Sequence, residues 1–169
     1  MRLPQLTDLP SVPPLPTGYS LLTADVDRMA DRKELAAVLS DAFEEHWDAE
    51  RVERVLSQAE GVRTIYAVVR DGEIVATASA RTLPQAYPAA GYVHYVGVDS
   101  RHRGHRLGEI VTHAVLRDFV ASGETSAVLE TDDFRGPAIR TYLRLGFVPE
   151  YRGSDDQARW SLVLRGLTR

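Results

Sequence analysis

The sequence predicts a single-domain α/β fold, a mixed β-sheet with flanking helices. Three observations lead there. Apolar residues recur at helical and at strand spacing in turn along the chain, so both kinds of element are required. An Asp71-Gly72 pair, which favours a two-residue type I′ hairpin, joins two strand-like runs. With 169 residues, 44% apolar and 26% charged, the chain is long enough to bury one sizeable core.

Residues 1–17 hold Pro4, Pro10, Pro13, Pro14 and Pro16, five of the nine prolines, so they read as a lead-in arm before a domain over residues 18–169. Leu3, Leu6, Leu9 and Leu15 suit an arm lying on the domain, with disorder as the alternative. A short strand is expected at Tyr19–Thr23, followed by two helices marked by Leu35, Val38, Leu39, Ala42 and Phe43, then by Val52, Val55, Leu56 and Ala59. Residues 64–70 and 73–83 form the strands around the hairpin turn. Residues 92–98 form another strand, and Gly97 inside it suggests a bulge.

Leu107, Ile110, Val111, Ala114, Val115 and Phe119 mark an amphipathic helix that Gly123 can cap. A short strand over 126–131 precedes a helix opened by Gly136-Pro137 and closed by Gly146, after which Phe147 and Val148 begin a strand. The tail fits two periods. Ala158, Trp160, Leu162 and Leu164 alternate as in a strand, whereas Trp160, Val163, Leu164 and Leu167 follow a helical spacing after a Ser154/Gln157 capping-box pattern.

Composition narrows the function classes. There are no cysteines, which removes disulfides, thiolate zinc sites and cysteine nucleophiles. No two histidines show zinc-ligand spacing, so no metal is expected. A net charge of −4 argues against nucleic acid as a partner. No apolar run approaches the ~20 residues that span a bilayer, so a cytoplasmic protein without a membrane partner is expected. A homodimer is left open.

The segment with chemical content is Val98-Asp99-Ser100-Arg101-His102-Arg103-Gly104-His105-Arg106-Leu107-Gly108, between a strand and a helix. A loop entering a helix presents unpaired N–H groups and the positive end of the helix dipole. Arg101, Arg103 and Arg106 concentrate positive charge there in an otherwise acidic chain, and Gly104 and Gly108 allow close backbone approach. A pyrophosphate is the implied ligand. The segment lacks the ending of a triphosphate-binding loop and the glycine spacing of a dinucleotide fingerprint.

Arg103 to Gly108 resembles the pyrophosphate loop of the GNAT superfamily of acetyl-CoA-dependent N-acetyltransferases, Arg/Gln-x-x-Gly-x-Gly/Ala after a strand ending in valine. One position departs: Arg106 stands where the central glycine is usual. A second block, from Ala138 to Phe147, is similar to the family's later motif, a tyrosine followed by x-x-x-Gly-Phe, with Tyr142 as that tyrosine. Arg135 replaces the family's frequent asparagine, so that contact is not transferred. The resemblance implies a fold with a splayed central strand and acetyl-CoA as donor. It places the cofactor on Arg103, Gly104, His105, Arg106, Leu107 and Gly108, with strand N–H groups at Val96 and Val98 freed by a splay at Gly97.

For transfer to a primary amine by direct attack, Tyr142 is the expected donor to the leaving sulfur, since a phenol (pKa ~10) stays protonated where a thiol (~8.5) begins to ionise. His94 is the first candidate for proton removal and Glu130 the second. The alternatives are structural: Tyr142 as a packing tyrosine, His94 as a satisfied buried histidine. At the level of function they are a non-catalytic acetyl-CoA-binding module or a protein or peptide acetyltransferase. Glu44, Glu45, Asp48, Glu50 and Glu53 cluster on the first two helices. They are either a solvated face or, as the resemblance implies, the acceptor side of the cleft. The second case favours a cationic small-molecule or peptide amine.

Overall fold

The computed structural model describes residues 1–167. Its strands are β1 (Arg2–Leu3), β2 (Tyr19–Thr23), β3 (Val62–Arg70), β4 (Glu73–Thr82), β5 (Ala90–Val98) and β6 (Ser126–Val128). Its helices are α1 (Met29–Phe43), α2 (Ala49–Val52, continuing through a π-helical turn at Glu53–Ser57), α3 (Leu107–Ala121), α4 (Gly136–Arg144) and α5 (Asp156–Leu167). The strands form one sheet in the order β1-β6-β5-β4-β3-β2. All neighbours are antiparallel except β5 and β6.

One face of the sheet is covered by α1 and α2 through Leu35, Val38, Leu39, Val52 and Leu56 against Ile65, Ala67 and Ile74. The other is covered by α3 and α4, whose Ile110, Val111, Val115, Phe119 and Ile139 pack on Ala76, Ala78 and Ala80. Alanines along the central strand keep its surface low, so α3 lies close to it. The expected turn is present: Asp71 and Gly72 both have positive φ, as a type I′ hairpin requires.

The bulge in β5 is not where glycine suggests. Thr77 pairs with Gly97 and Ser79 with His94, so Tyr95 and Val96 together face Ala78. Tyr95, with φ of 45°, is the residue that takes the left-handed conformation. Because the extra residue reverses the side-chain alternation, Gly91 and Gly97 serve opposite faces although their spacing is even. A Cβ on Gly91 would lie 2.3 Å from the Phe119 ring of α3, and one on Gly97 would lie 3.2 Å from Cβ of Ala42 on α1. Gly97 is therefore a close-packing glycine.

The bulge also seats His94, which is only 7% exposed. Its Nδ1 lies 3.1 Å from the Ser79 hydroxyl, which itself donates to the His94 carbonyl at 2.9 Å. This arrangement assigns the proton to Nδ1 and leaves the lone pair of Nε2 facing the Arg81 guanidinium at 3.4 Å. Burial first, then the Arg81 charge, pushes the His94 pKa down to about 4.

The proline-rich arm is part of the sheet. Arg2 and Leu3 pair with Val128 and Ala127 of β6, and Arg2 also bridges to Val148. Met1, Leu3 and Leu6 are buried, and Leu9, Val12 and Leu15 pack against the same core. The strand expected from Phe147 is thus reduced to one paired residue, because β1 supplies the partner that β6 needs. β6 is also shorter than the expected 126–131. The tail is helical; its start is set by the Asp156 carboxylate, which accepts from the N–H groups of Arg152 and Gly153 at 2.7 and 3.0 Å, in place of the Ser154/Gln157 box.

Two stability predictions follow from this packing. Gly91→Ala is expected to lower the unfolding free energy by about 1–3 kcal/mol through overpacking against Phe119; urea denaturation within error of the parent would contradict the close approach. For His94, the folded pKa of about 4 lies below the ordinary 6.5, so the unfolded chain binds the extra proton between these values. The contribution is complete above the higher value and is lost as pH falls toward the lower one, on the order of 3 kcal/mol in all. Unfolding measured between pH 7 and pH 4 should show this loss, and His94→Gln should flatten it. If the variant keeps the same pH dependence, another group is responsible.

Candidate active site

Beyond Tyr92, β5 has no pairing with β6: the parallel ladder runs only from Ala90/Ser126 to Tyr92/Val128. The two chains part, and a cavity of about 240 Å³ opens between them. Its walls are β5 from Tyr92 to Val96, the chain after β6 from Leu129 to Asp132, Arg135, Ala138 and Tyr142 of α4, and Phe43 at the end of α1. The structure thus brings together Tyr142, His94 and Val96 of the expected site residues. Val98 lies further along the same strand. The Asp99 N–H donates to Val75 of β4, so by strand alternation the Val98 N–H points to the open side.

Tyr142 is 6% exposed, with its ring edge on Phe147. Its hydroxyl has no protein hydrogen-bond partner among the described residues. Burial raises its pKa well above the ordinary phenol value, partly opposed by the Arg135 charge, so the phenol stays protonated at any physiological pH. Arg135 occupies the usual asparagine position as a brace. It donates to the Ala42 carbonyl at 3.2 Å, pairs with Asp132 at 3.0 Å and lies over the Phe43 ring.

Glu130 stands at the rim. It accepts from the Tyr87 hydroxyl at 2.9 Å and from Tyr92 at 3.5 Å, with Arg152 3.7 Å away. Burial, then the negative charge of Glu130, pushes the Tyr92 pKa up to about 12. The acidic run lies elsewhere: Glu45 pairs with Arg51, Glu53 with Arg32, and Asp48 caps α2 through the Arg51 N–H. None of Glu44, Glu45, Asp48, Glu50 and Glu53 lines the cavity, so the carboxylates bordering it are Glu130 and Asp132.

At the far end of β5 the loop makes a 3-10 turn at Ser100–His102 and enters α3. Asp41 of α1 anchors the turn, accepting from the Ser100 N–H and hydroxyl at 2.5 and 2.9 Å, and Tyr19 of β2 holds His102 at 2.9 Å. Gly104 has φ of 85°, and Arg106, the N-cap of α3, has φ of 57°. The N–H groups of Gly104, His105, Arg106, Leu107 and Gly108 meet no protein acceptor among the described residues. Open space surrounds the position of a Gly104 Cβ. Five free donors at the positive end of a 15-residue helix form a site that a pyrophosphate fits.

The arginines divide their work in a way spacing does not reveal. Arg101 is bound to Asp99, whose pKa it lowers, at 2.6 Å, and Arg106 to Glu109 at 2.5 Å. The Arg103 guanidinium has no acid partner among the described residues. Glu109 was not anticipated. An acid in a first helical turn ordinarily reads as a dipole partner in solvent, and only its i+3 and i+7 spacing to Thr112 and Leu116 hinted at burial.

A family profile described as Acetyltransferase (GNAT) family matches residues 32–147, more than half of the chain. A mycothiol acetyltransferase of Actinosynnema mirum is 32% identical over 152 residues, covering 85% of this chain and 49% of that protein. That of Thermobispora bispora is 31% identical over 156 residues, covering 87% and 52%. The chain spans about half the length of these curated relatives. A GCN5-related N-acetyltransferase from Kribbella flavida superposes with a TM-score of 0.60 at 28% identity, covering 88% of this chain and 55% of that one. The ribosomal-protein-S18-alanine N-acetyltransferase of Escherichia coli superposes with a TM-score of 0.65 over 79% of each chain; at 16% identity it shows the fold alone. With the parted strands and the open N–H turn on one β-strand, these matches lead to one conclusion: the chain belongs to the GNAT acetyltransferase family.

Proposed function

We propose that the chain transfers the acetyl group of acetyl-CoA to a primary amine by direct attack. The observation that supports this most is the placement of two features along β5: a turn of free N–H groups at its end, and a cleft with a buried, unpaired phenol at its bulge. The turn suits a pyrophosphate, with the Arg103 guanidinium as the side-chain cation. The free edge of β5 offers backbone donors at Val96 and Val98 to an extended, amide-bearing arm and to a polarised thioester carbonyl. The acetyl thioester supplies the activated acyl carbon.

Tyr142 is assigned the departing sulfur. With its acidity reduced by burial, it acts as a hydrogen-bond donor to the developing thiolate rather than as the source of a fully transferred proton. Proton removal falls to Glu130 in place of His94. The His94 Nε2 lone pair already faces the Arg81 guanidinium at 3.4 Å, so it is not free for the proton of the incoming nitrogen. Glu130 is exposed at the rim and takes the proton, directly or through water, as the attacking nitrogen becomes acidic. The acceptor is an amine on a small molecule or peptide. Glu130 and Asp132, rather than the acidic run, are the groups that favour a positive charge next to the reacting nitrogen.

Thiol release from acetyl-CoA in the presence of an amine panel tests the reading. Turnover with at least one amine is expected, and saturable acetyl-CoA binding with no turnover on any amine would make the chain a binding module. Tyr142→Phe should lower kcat by about 10²-fold while keeping CoA affinity, because positioned proton donors typically contribute that much. An unchanged kcat where chemistry limits turnover would return Tyr142 to a packing role. Glu130→Gln should depress kcat on a similar scale, ~10²-fold, while keeping CoA affinity. If kcat is unchanged, the base is another group.

A further inference from the structure

Arg106 takes a left-handed conformation at the position where glycine would be free to do so. Three hydrogen bonds to one residue hold it there. The Glu109 N–H donates to the Arg106 carbonyl at 3.0 Å, and the Glu109 carboxylate accepts from the Arg106 side chain through Nε at 3.1 Å and Nη2 at 2.5 Å. Backbone and side chain of Arg106 are thus gripped by the same neighbour.

The gripping residue is itself enclosed. Glu109 is 3% exposed, and its Oε2 also accepts from Arg144 Nε of α4 at 3.2 Å. Arg144 lies two residues after Tyr142 on the same helix and donates to the Thr141 hydroxyl at 3.2 Å. A buried carboxylate with two guanidinium partners holds its geometry tightly, since losing either partner leaves charge uncompensated. The same contact draws the Arg106 guanidinium down onto α3, away from the mouth of the N–H turn.

We propose that Glu109 is a positioning residue: by clamping Arg106 in the left-handed N-cap conformation, it aims the loop N–H groups at the pyrophosphate. In the same contact it ties α4, and with it Tyr142, to the start of α3. This rests on the acetyl-CoA reading above. Arg106 then serves the ligand through its backbone, and its side chain substitutes for the conformational freedom of a glycine.

Titration calorimetry with free CoA tests the clamp separately from turnover. Glu109→Gln, which keeps size but loses the charge-assisted fork, should weaken CoA binding by about tenfold. Adding Arg106→Gly to that variant should recover most of the lost affinity, because glycine needs no clamp; a loss caused only by loosened helix packing would not be recovered. Arg106→Lys keeps the charge and leaves the Glu109–Arg144 pair intact, so it remains informative even if Glu109→Gln does not fold. It should also weaken CoA binding, as lysine cannot form the two-pronged contact. Parental affinity in Arg106→Lys, or no recovery on adding Arg106→Gly to a folded Glu109→Gln, overturns the clamp. Failure of the parent protein to bind CoA at all would instead overturn the acetyl-CoA reading.

Discussion

One extra residue in β5 sets the geometry on which the rest of the site depends. With Tyr95 and Val96 opposite Ala78, the strand changes which side chains face which layer, and its far half lacks a parallel neighbour. Gly91 before the bulge receives Phe119 of α3, while Gly97 after it receives α1. The helices are therefore seated on opposite faces of one strand, and the gap between β5 and β6 is left to be lined by Tyr142, His94 and Val96. Beyond Tyr92 no parallel ladder closes that gap.

Charge is handled locally throughout. The chain's cationic loop lies in an acidic protein, yet two of its three arginines are neutralised by Asp99 and Glu109. What remains for an anion is a turn of backbone donors, a helix dipole and the Arg103 side chain, which suits a ligand recognised by shape as well as by charge. The acidic run behaves in the same way. Glu45 and Glu53 pair with Arg51 and Arg32, Asp48 caps α2, and none of the run lines the cleft, whose bordering carboxylates are Glu130 and Asp132.

The N-terminal segment contributes to the site indirectly. β6 is three residues long and pairs only with the first three residues of β5, so on its own it is a weak element. Arg2 and Leu3 give it a second partner, and Met1 exchanges hydrogen bonds with Leu129 immediately after it. The chain from Leu129 to Asp132, one wall of the cavity, is thereby held from the side opposite β5.

Periodicity, turn chemistry and the two motif blocks were enough to read the α/β class, the hairpin at Asp71-Gly72, the strand Tyr19–Thr23, the loop from Arg103 to Gly108 and the place of Tyr142, because each is a local pattern with a local cause. Other features required long-range partners. Nothing in residues 90–98 alone says that the bulge falls at Tyr95, since register is a property of two strands and β4 supplies half of it. Whether the arm joins the sheet was decided by the open edge of β6, over 120 residues away. The burial of Glu109 was decided by Arg144 arriving from α4, and the lowered basicity of His94 by the enclosing layers and then by Arg81. Spacing along the chain identifies which groups can do chemistry; which of them are free to do it depends on the partners that folding brings to them.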